Sequence, residues 1–135
     1  MSKPLNLEQL QSHCITQLAP ILGGVRKAHD GQVPNELLNN HYLLGYIWGM
    51  VSVSMNRAHL ENEGERGHTM IEVTATLLQQ NAQRIGSKLA TLHQSNEDLD
   101  YLEGINDGTD RMAAPSEGRR EEVIYRLMHR LEPYC

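Results

Sequence analysis

The fold of this protein is decided by residues 37–56, which read LLNNHYLLGYIWGMVSVSMN and contain no charged residue. At 100° per residue, the apolar side chains of this stretch fall on nearly every side of a helix. Such a helix is buried, either at the centre of a bundle or in a membrane. Because Asn, His and Ser side chains interrupt it, its apolar runs are shorter than the roughly 20 residues that a bilayer requires. We therefore predict a buried central helix over about residues 35–60.

Two glycines of this helix, Gly45 and Gly49, lie four residues apart and share a face with Ser52. A glycine inside a helix costs about 1 kcal/mol relative to alanine. The usual gain is the close approach of another helix backbone. The pattern predicts tight packing within the chain or, as the second interpretation, a contact between two copies.

The remaining segments are amphipathic and can cover the central helix. Asn6 is a predicted N-cap for the first segment, which Pro20 should kink or break. Ser95 is the predicted cap of a fourth helix, which Asn106-Asp107-Gly108 should end or kink. A last helix is predicted over about residues 117–131. The inward positions predicted for these last two helices are Leu99, Leu102 and Ile105, and then Val123, Ile124, Leu127, Met128 and Leu131. The fold class expected for residues 1–135 is all-α, a single-domain bundle of about five helices around the central one.

The clearest helical periodicity in the chain lies between His68 and His93, which predicts one long helix. Its apolar positions are three and four residues apart, as in a coiled-coil seam. These seam residues are Ile71, Ala75, Leu78, Ala82, Ile85, Leu89 and Leu92. The seam fits packing against the central helix or packing against a second chain, and the sequence leaves both open.

Charge is distributed unevenly along the C-terminal third of the chain. Residues 97–110 hold six acids and no base, whereas residues 111–135 hold five arginines and four glutamates. At helical spacing these residues form two stripes, an acidic one with Glu97, Asp100, Glu103, Asp107 and Asp110 and a basic one with Arg119, Arg126 and Arg130. The candidate partner-binding residues are the two stripes without Glu97. Three interpretations stay open: two solvated faces, pairing between the stripes within or between chains, or binding of an oppositely charged partner.

Motifs for catalysis, cofactors and metals are absent from the sequence. Its seven histidines lack the closely spaced sets that zinc sites use. The nearest local pair, Glu65 and His68, has the spacing found twice in di-iron bundles but occurs once here. No nucleophile elbow, Cys-x-x-Cys or phosphate-binding glycine loop is present. We predict no catalytic residues, no metal and no cofactor.

Composition restricts the partners and the compartment. The net charge of −5 disfavours a nucleic-acid or anionic membrane surface. Two cysteines and no signal-peptide pattern suit the cytoplasm. Cys14 is expected to act as a small hydrophobe, and a functional role is not expected for Cys135.

No segment carries a signature that names a family, so function is approached through hypotheses. The favoured one is a non-catalytic helical interaction module, an adaptor, regulator or inhibitor that binds another protein and forms a homodimer. The first alternative is a ligand- or metal-binding bundle, possibly an enzyme, that uses His41, Trp48, Ser52 and His59. The second is a nucleic-acid regulator that uses Arg119, Arg120, Arg126 and Arg130.

Overall fold

The computed structural model describes residues 6–95 and 97–135, and these form a packed, all-helical bundle. Its α-helices are α1 Leu7–Leu18, α2 Gly23–Ala28, α3 His41–Arg57, α4 Glu63–Leu78, α5 Ala82–Ser95, α6 Leu99–Met112 and α7 Glu117–Leu131. Three short 3₁₀ turns, at Ala19–Leu22, Asn35–Asn39 and Glu132–Tyr134, connect or extend them. The all-α, single-domain fold predicted from the sequence is confirmed, with more and shorter helices than the five expected.

Helix α3 is the buried centre of the bundle, as its charge-free sequence predicts. Eleven of its seventeen residues are buried, and they lie on several sides of the helix. Its bounds are narrower than 35–60, because the Asn40 side chain accepts from the Leu43 amide and starts a new helix after the 3₁₀ turn. The helix ends at Arg57, where His59 takes a left-handed conformation with φ 56°. The Leu60 amide then bonds the Met55 carbonyl, as in a Schellman-type end.

The contact between α3 and α6 is made by glycines on both helices. A Cβ on Gly45 or Gly49 would collide with α6 backbone at Tyr101 or Ile105. A Cβ on Gly104 or Gly108 would likewise collide with the backbone of α3. The glycine pair on α3 therefore serves packing within the chain. The predicted break at Asn106-Asp107-Gly108 is wrong, because Gly108 is a packing residue inside a continuous α6.

The single helix predicted over residues 68–93 is also wrong, because the chain turns between α4 and α5. Gln79 adopts the left-handed conformation with φ 56°, and the Gln80 amide bonds the Ala75 carbonyl. Asn81 then accepts from the Gln83 amide at 2.7 Å and caps α5. A Cβ on Gly86 would lie 3.3 Å from the Ile71 side chain, although one continuous helix would separate these residues by roughly 22 Å.

The seam residues lie within the bundle. Those buried in the chain's own core are Ala75, Leu78, Ile85, Leu89 and Leu92, while Ile71 and Ala82 are partly buried and pack against that core. The intramolecular interpretation of the seam is therefore the one that the structure supports.

The structure confirms some of the predicted helix ends and inward positions and contradicts others. The break at Pro20 and the bounds of α7 agree with the prediction. The N-cap of α6 is Asp98 rather than Ser95, which is the last residue of α5. The predicted inward residues Leu99, Leu102 and Met128 are instead exposed, by 79%, 38% and 65%.

Within the described ranges, no helix has the length and apolarity needed to cross a bilayer.

We predict that alanine is not tolerated at the glycines where α3 and α6 meet. Gly45→Ala or Gly104→Ala should lower the free energy of unfolding by about 2–4 kcal/mol, because an overpacked backbone contact must open. Gly67→Ala in α4 is the matched control, since a Cβ there meets nothing within 4 Å. It should raise stability by about 0.4–1 kcal/mol. Urea unfolding measures both changes, and equal effects at the two kinds of site would contradict this account of the contact.

Candidate functional site

The α3–α6 contact carries a carboxylate, Asp107, into the core, where it is 0% exposed. The Tyr42 hydroxyl donates to its Oδ2 atom at 2.6 Å. From α7, Arg119 and Arg126 each donate to its Oδ1 atom at 3.2 Å. A buried carboxylate is tolerated only when paired and hydrogen-bonded, and here three side chains from two other helices satisfy it.

The two charge stripes of the C-terminal third pair with each other along α6 and α7. Beyond Asp107, Arg119 donates to Asp110 at 2.7 Å, and Arg130 contacts Asp100 at 3.3 Å. Glu103 lies farther from both Arg126 and Arg130, at 3.7 and 3.8 Å. All seven stripe residues predicted as partner-binding therefore take part in ion pairs within the chain. Of the three interpretations, pairing between the stripes is the one observed.

These pairs fix the rotation of α7 and expose a second apolar stripe on it. Val123, Leu127 and Leu131 are the buried residues of α7. On a neighbouring face, Tyr125 and Met128 are 70% and 65% exposed, and Ile124 beside them is half-buried. Large exposed apolar side chains that cluster on one face mark interaction surfaces more often than isolated ones do.

This stripe forms one wall of a groove of about 610 Å³, which we call the α7 groove. The opposite wall comes from the Ala19–Leu22 turn and α2. The α7 groove is lined by Pro20, Ile21, Gly24 and Val25 on that wall, by Ile124, Tyr125, Leu127, Met128, His129 and Leu131 on α7, and by Arg111, Glu132 and Cys135. A volume of this size lies within the roughly 300–1,000 Å³ typical of ligand sites.

Arg111 is the cation of the α7 groove, at the end of α6. Its guanidinium lies beside the hydroxyl of the buried Tyr46 and partly offsets the rise that burial causes in the pKa of that hydroxyl. The Tyr46 hydroxyl itself donates to the Val123 carbonyl at 3.1 Å. Among the described residues, no carboxylate lies within ion-pair distance of Arg111, whereas Glu132 at the rim contacts His129 at 3.4 Å. The half-buried Arg111 therefore offers a charged donor to whatever covers the groove.

The polar residues of the ligand-binding alternative do not converge on one place. Trp48 and Ser52 share a cleft of about 250 Å³ with Met55, Glu63, Arg66 and Gly67. His59 lines a second, adjacent depression, which shares Glu63 and Arg66 with that cleft.

His41 lies elsewhere and bonds Asp98 Oδ2 through Nδ1 at 2.6 Å. The Tyr101 amide and this histidine together hold the pKa of Asp98 below its ordinary value. His93 packs against Trp48 with the two rings tilted by 51°, and it bonds the Tyr101 hydroxyl at 2.7 Å. Burial lowers the pKa of His93. These pairs tie helix ends together.

No three metal-ligating side chains converge within residues 6–95 and 97–135. Cys14 is fully buried, and burial raises the pKa of its thiol. The four arginines of the nucleic-acid alternative all contact acids, with Arg120 the most loosely held, 3.9 Å from Glu117. The features that suit each alternative are therefore separated or neutralised.

Sequence reasoning missed the α7 groove, although part of its signal was present. Met128 was predicted to face inward because it lies next to the core positions of α7, whereas Tyr125 was not assigned to the core. Periodicity does not show that these two side chains line one groove with the Ala19–Leu22 turn. The rotation of α7 depends on the burial of Asp107. That burial can be predicted only when it is known that Gly104 and Gly108 face α3. Comparison with protein-family models, with curated proteins and with solved structures gives no match.

We predict that the Asp107 cluster stabilises the fold more than the exposed ion pairs do. Asp107→Asn should lower the free energy of unfolding by about 2–3 kcal/mol, because buried hydrogen bonds to a charged group are lost. Asp110→Asn, which removes the more exposed partner of Arg119, should cost less than about 1 kcal/mol. Urea titration of the two variants provides the comparison, and an equal loss would show that Asp107 has no special role.

We also predict that the protein loses stability at alkaline pH. Burial raises the pKa of Tyr42, Tyr46 and Tyr101, and the bond to Asp107 adds to the effect at Tyr42. Above the ordinary tyrosine pKa of about 10, the unfolded chain releases protons that the folded chain keeps. The free energy of unfolding therefore falls as pH rises. Denaturant unfolding at increasing pH, followed with tyrosinate absorbance, should show these phenols ionising only on unfolding. Tyr42→Phe should reduce the slope of the unfolding free energy against pH by the equivalent of about one proton.

Proposed function

We propose that this chain is a non-catalytic protein-docking module and that the α7 groove is its docking surface. The observation that carries the proposal is the pairing of a groove of about 610 Å³ with two large side chains, Tyr125 and Met128, left exposed at its edge. Water contacts these apolar surfaces in the free chain, and a partner that covers them gains the free energy of removing them from water.

The composition of the surface favours a protein partner over a small molecule. Tyr, Met and Arg are enriched at the centres of protein interfaces, and Tyr125, Met128 and Arg111 lie together here. Burying an exposed side chain of the size of Met128 contributes about 1.5–3 kcal/mol. The groove, open along a helix, also resembles the sites that receive an apolar helix face.

The charge arrangement supports the same proposal by elimination. The acidic and basic stripes are engaged with each other, so neither is a free electrostatic surface for nucleic acid or for a basic protein. The seam is enclosed within the bundle, and it no longer supports a dimer. The predicted self-association, which stays a prediction, has to use another face, and the α7 groove is the apolar surface that fits it.

The proposal is tested by photo-cross-linking in cells that express the full chain. Benzoylphenylalanine at Tyr125 should give a discrete adduct, and the same probe at the exposed Gln83 of α5 should not. Adding Met128→Glu should remove the adduct, because it replaces an apolar contact side chain by a charged one that loses its water when the groove is covered. Glu at Thr91, which is exposed on α5, should leave the adduct unchanged.

The mass of the adduct identifies the kind of partner, and either a second copy or a different protein agrees with docking at the groove. The proposal is wrong if position 125 gives no adduct, or if the adduct survives Met128→Glu.

A further inference from the structure

The occupant of the α7 groove can be sought in the second exposed apolar patch of the same chain. Leu99 and Leu102, on the first turns of α6, are 79% and 38% exposed. Projection at 100° per residue places Glu103 beside Leu99 on this face of α6, and Glu97 lies just before the helix. We call Leu99, Leu102, Glu97 and Glu103 the α6 knob. It is an exposed apolar surface with carboxylates at its edge.

The α6 knob offers the α7 groove an apolar surface and carboxylates for Arg111. The groove is apolar and holds the guanidinium of Arg111, which has no carboxylate within ion-pair distance among the described residues, since Glu132 at the rim contacts His129. The knob is exposed, apolar and acidic. Glu97 has no ion pair in the described part of the chain, and the Glu103 contacts to Arg126 and Arg130 are long, at 3.7 and 3.8 Å. Both carboxylates can therefore take a new partner at little cost.

The desolvation of Arg111 decides which apolar surface can cover the groove. An occupant that removes water from a half-buried guanidinium imposes a cost of several kcal/mol unless it supplies an anion. A purely apolar helix face would leave that cost uncompensated. An apolar face with a neighbouring carboxylate compensates this desolvation cost. It is therefore preferred over apolar faces that lack a carboxylate.

The two surfaces of one chain cannot meet. Leu99 and Arg111 are twelve residues apart on α6, which is continuous, so they are separated by roughly 18 Å along the helix. A knob can fill a groove only between two copies. Because the two contact surfaces differ, the contact is heterologous. The copy that donates its knob keeps a free groove, and the copy that receives it keeps a free knob.

We propose that the α6 knob of one copy docks in the α7 groove of a second copy, which makes the protein a head-to-tail self-associating chain. This inference rests on the proposed function, because it names the partner of the same groove. It differs from a symmetric dimer in which two α7 helices pack against each other, since that arrangement would not use Leu99.

Sedimentation of variants and of their mixture separates these arrangements. The full chain should sediment as species that grow with concentration beyond a dimer, and Met128→Glu and Leu99→Glu should each be monomeric. Both positions are exposed, so the variants should fold, which circular dichroism checks. An equimolar mixture should form a one-to-one complex that grows no further, because one intact knob meets one intact groove.

The role of Arg111 is measured in the same assay. Arg111→Gln should weaken self-association about tenfold, which corresponds to roughly 1.4 kcal/mol, and Arg111→Lys should keep most of it. High salt should also weaken the contact, because the carboxylates of the knob lie at its rim. If Arg111→Gln associates as the parent does, the assignment of charge is wrong.

The outcomes also separate this inference from the proposed function. A parent chain that stays monomeric at all concentrations, or a mixture of the two variants that stays monomeric, overturns head-to-tail docking. If the cross-link from position 125 to a different protein then persists and is lost in Met128→Glu, the groove is a docking surface for that protein. If that cross-link is absent as well, both proposals are wrong.

Discussion

The backbone contact between α3 and α6 is the constraint on which the rest of the structure depends. Four glycines, two on each helix, let the main chains approach so closely that a single Cβ at any of them would collide with the facing backbone. Such a contact has little freedom to slide or rotate. Any shift would bring residues with side chains into the place of the glycines, where the two backbones leave no room. It therefore sets where the remaining residues of α6 point. Tyr101 is buried beside the glycines, and Leu99 and Leu102 turn to solvent.

The burial of Asp107 follows from this geometry and determines how α7 is placed. Once Gly104 and Gly108 lie against α3, Asp107 between them is removed from water, and its carboxylate requires donors. Tyr42 supplies one from α3, while Arg119 and Arg126 supply the others from α7. With these arginines held toward α6, the buried stripe of α7 faces the core. Tyr125 and Met128, which are on the neighbouring face, stay outside.

The sequence predicts the parts of the fold that depend on local pattern and misses those that depend on a distant helix. The charge-free stretch identifies α3, Pro20 marks the end of the first helix, and the bounds predicted for the last helix, 117–131, match α7. Gln79 was missed because a left-handed residue at a helix end is usually Gly or Asn, and the apolar spacing continues unchanged across the turn. The sequence marks Gly108 as a helix breaker, because the residue that it contacts, Tyr46, lies 62 residues away in sequence. The charge stripes were recognised, but whether they pair internally depends on the α3–α6 contact, which periodicity does not contain.

The same reasoning explains why the charges that remain available for recognition lie at the two ends of α6. The chain is strongly charged in its last third, but the packing of α6 against α3 uses the arginines of α7 to neutralise α6. Arg111 differs because it lies at the end of α6, beyond the acids, and contacts Tyr46 instead of a carboxylate. At the opposite end of α6, Glu97 precedes the helix and is likewise outside the paired region. The two ends of α6 therefore carry opposite charges without ion-pair partners, each beside exposed apolar groups. Because opposite charges attract, association between copies favours end-to-end over side-by-side contact.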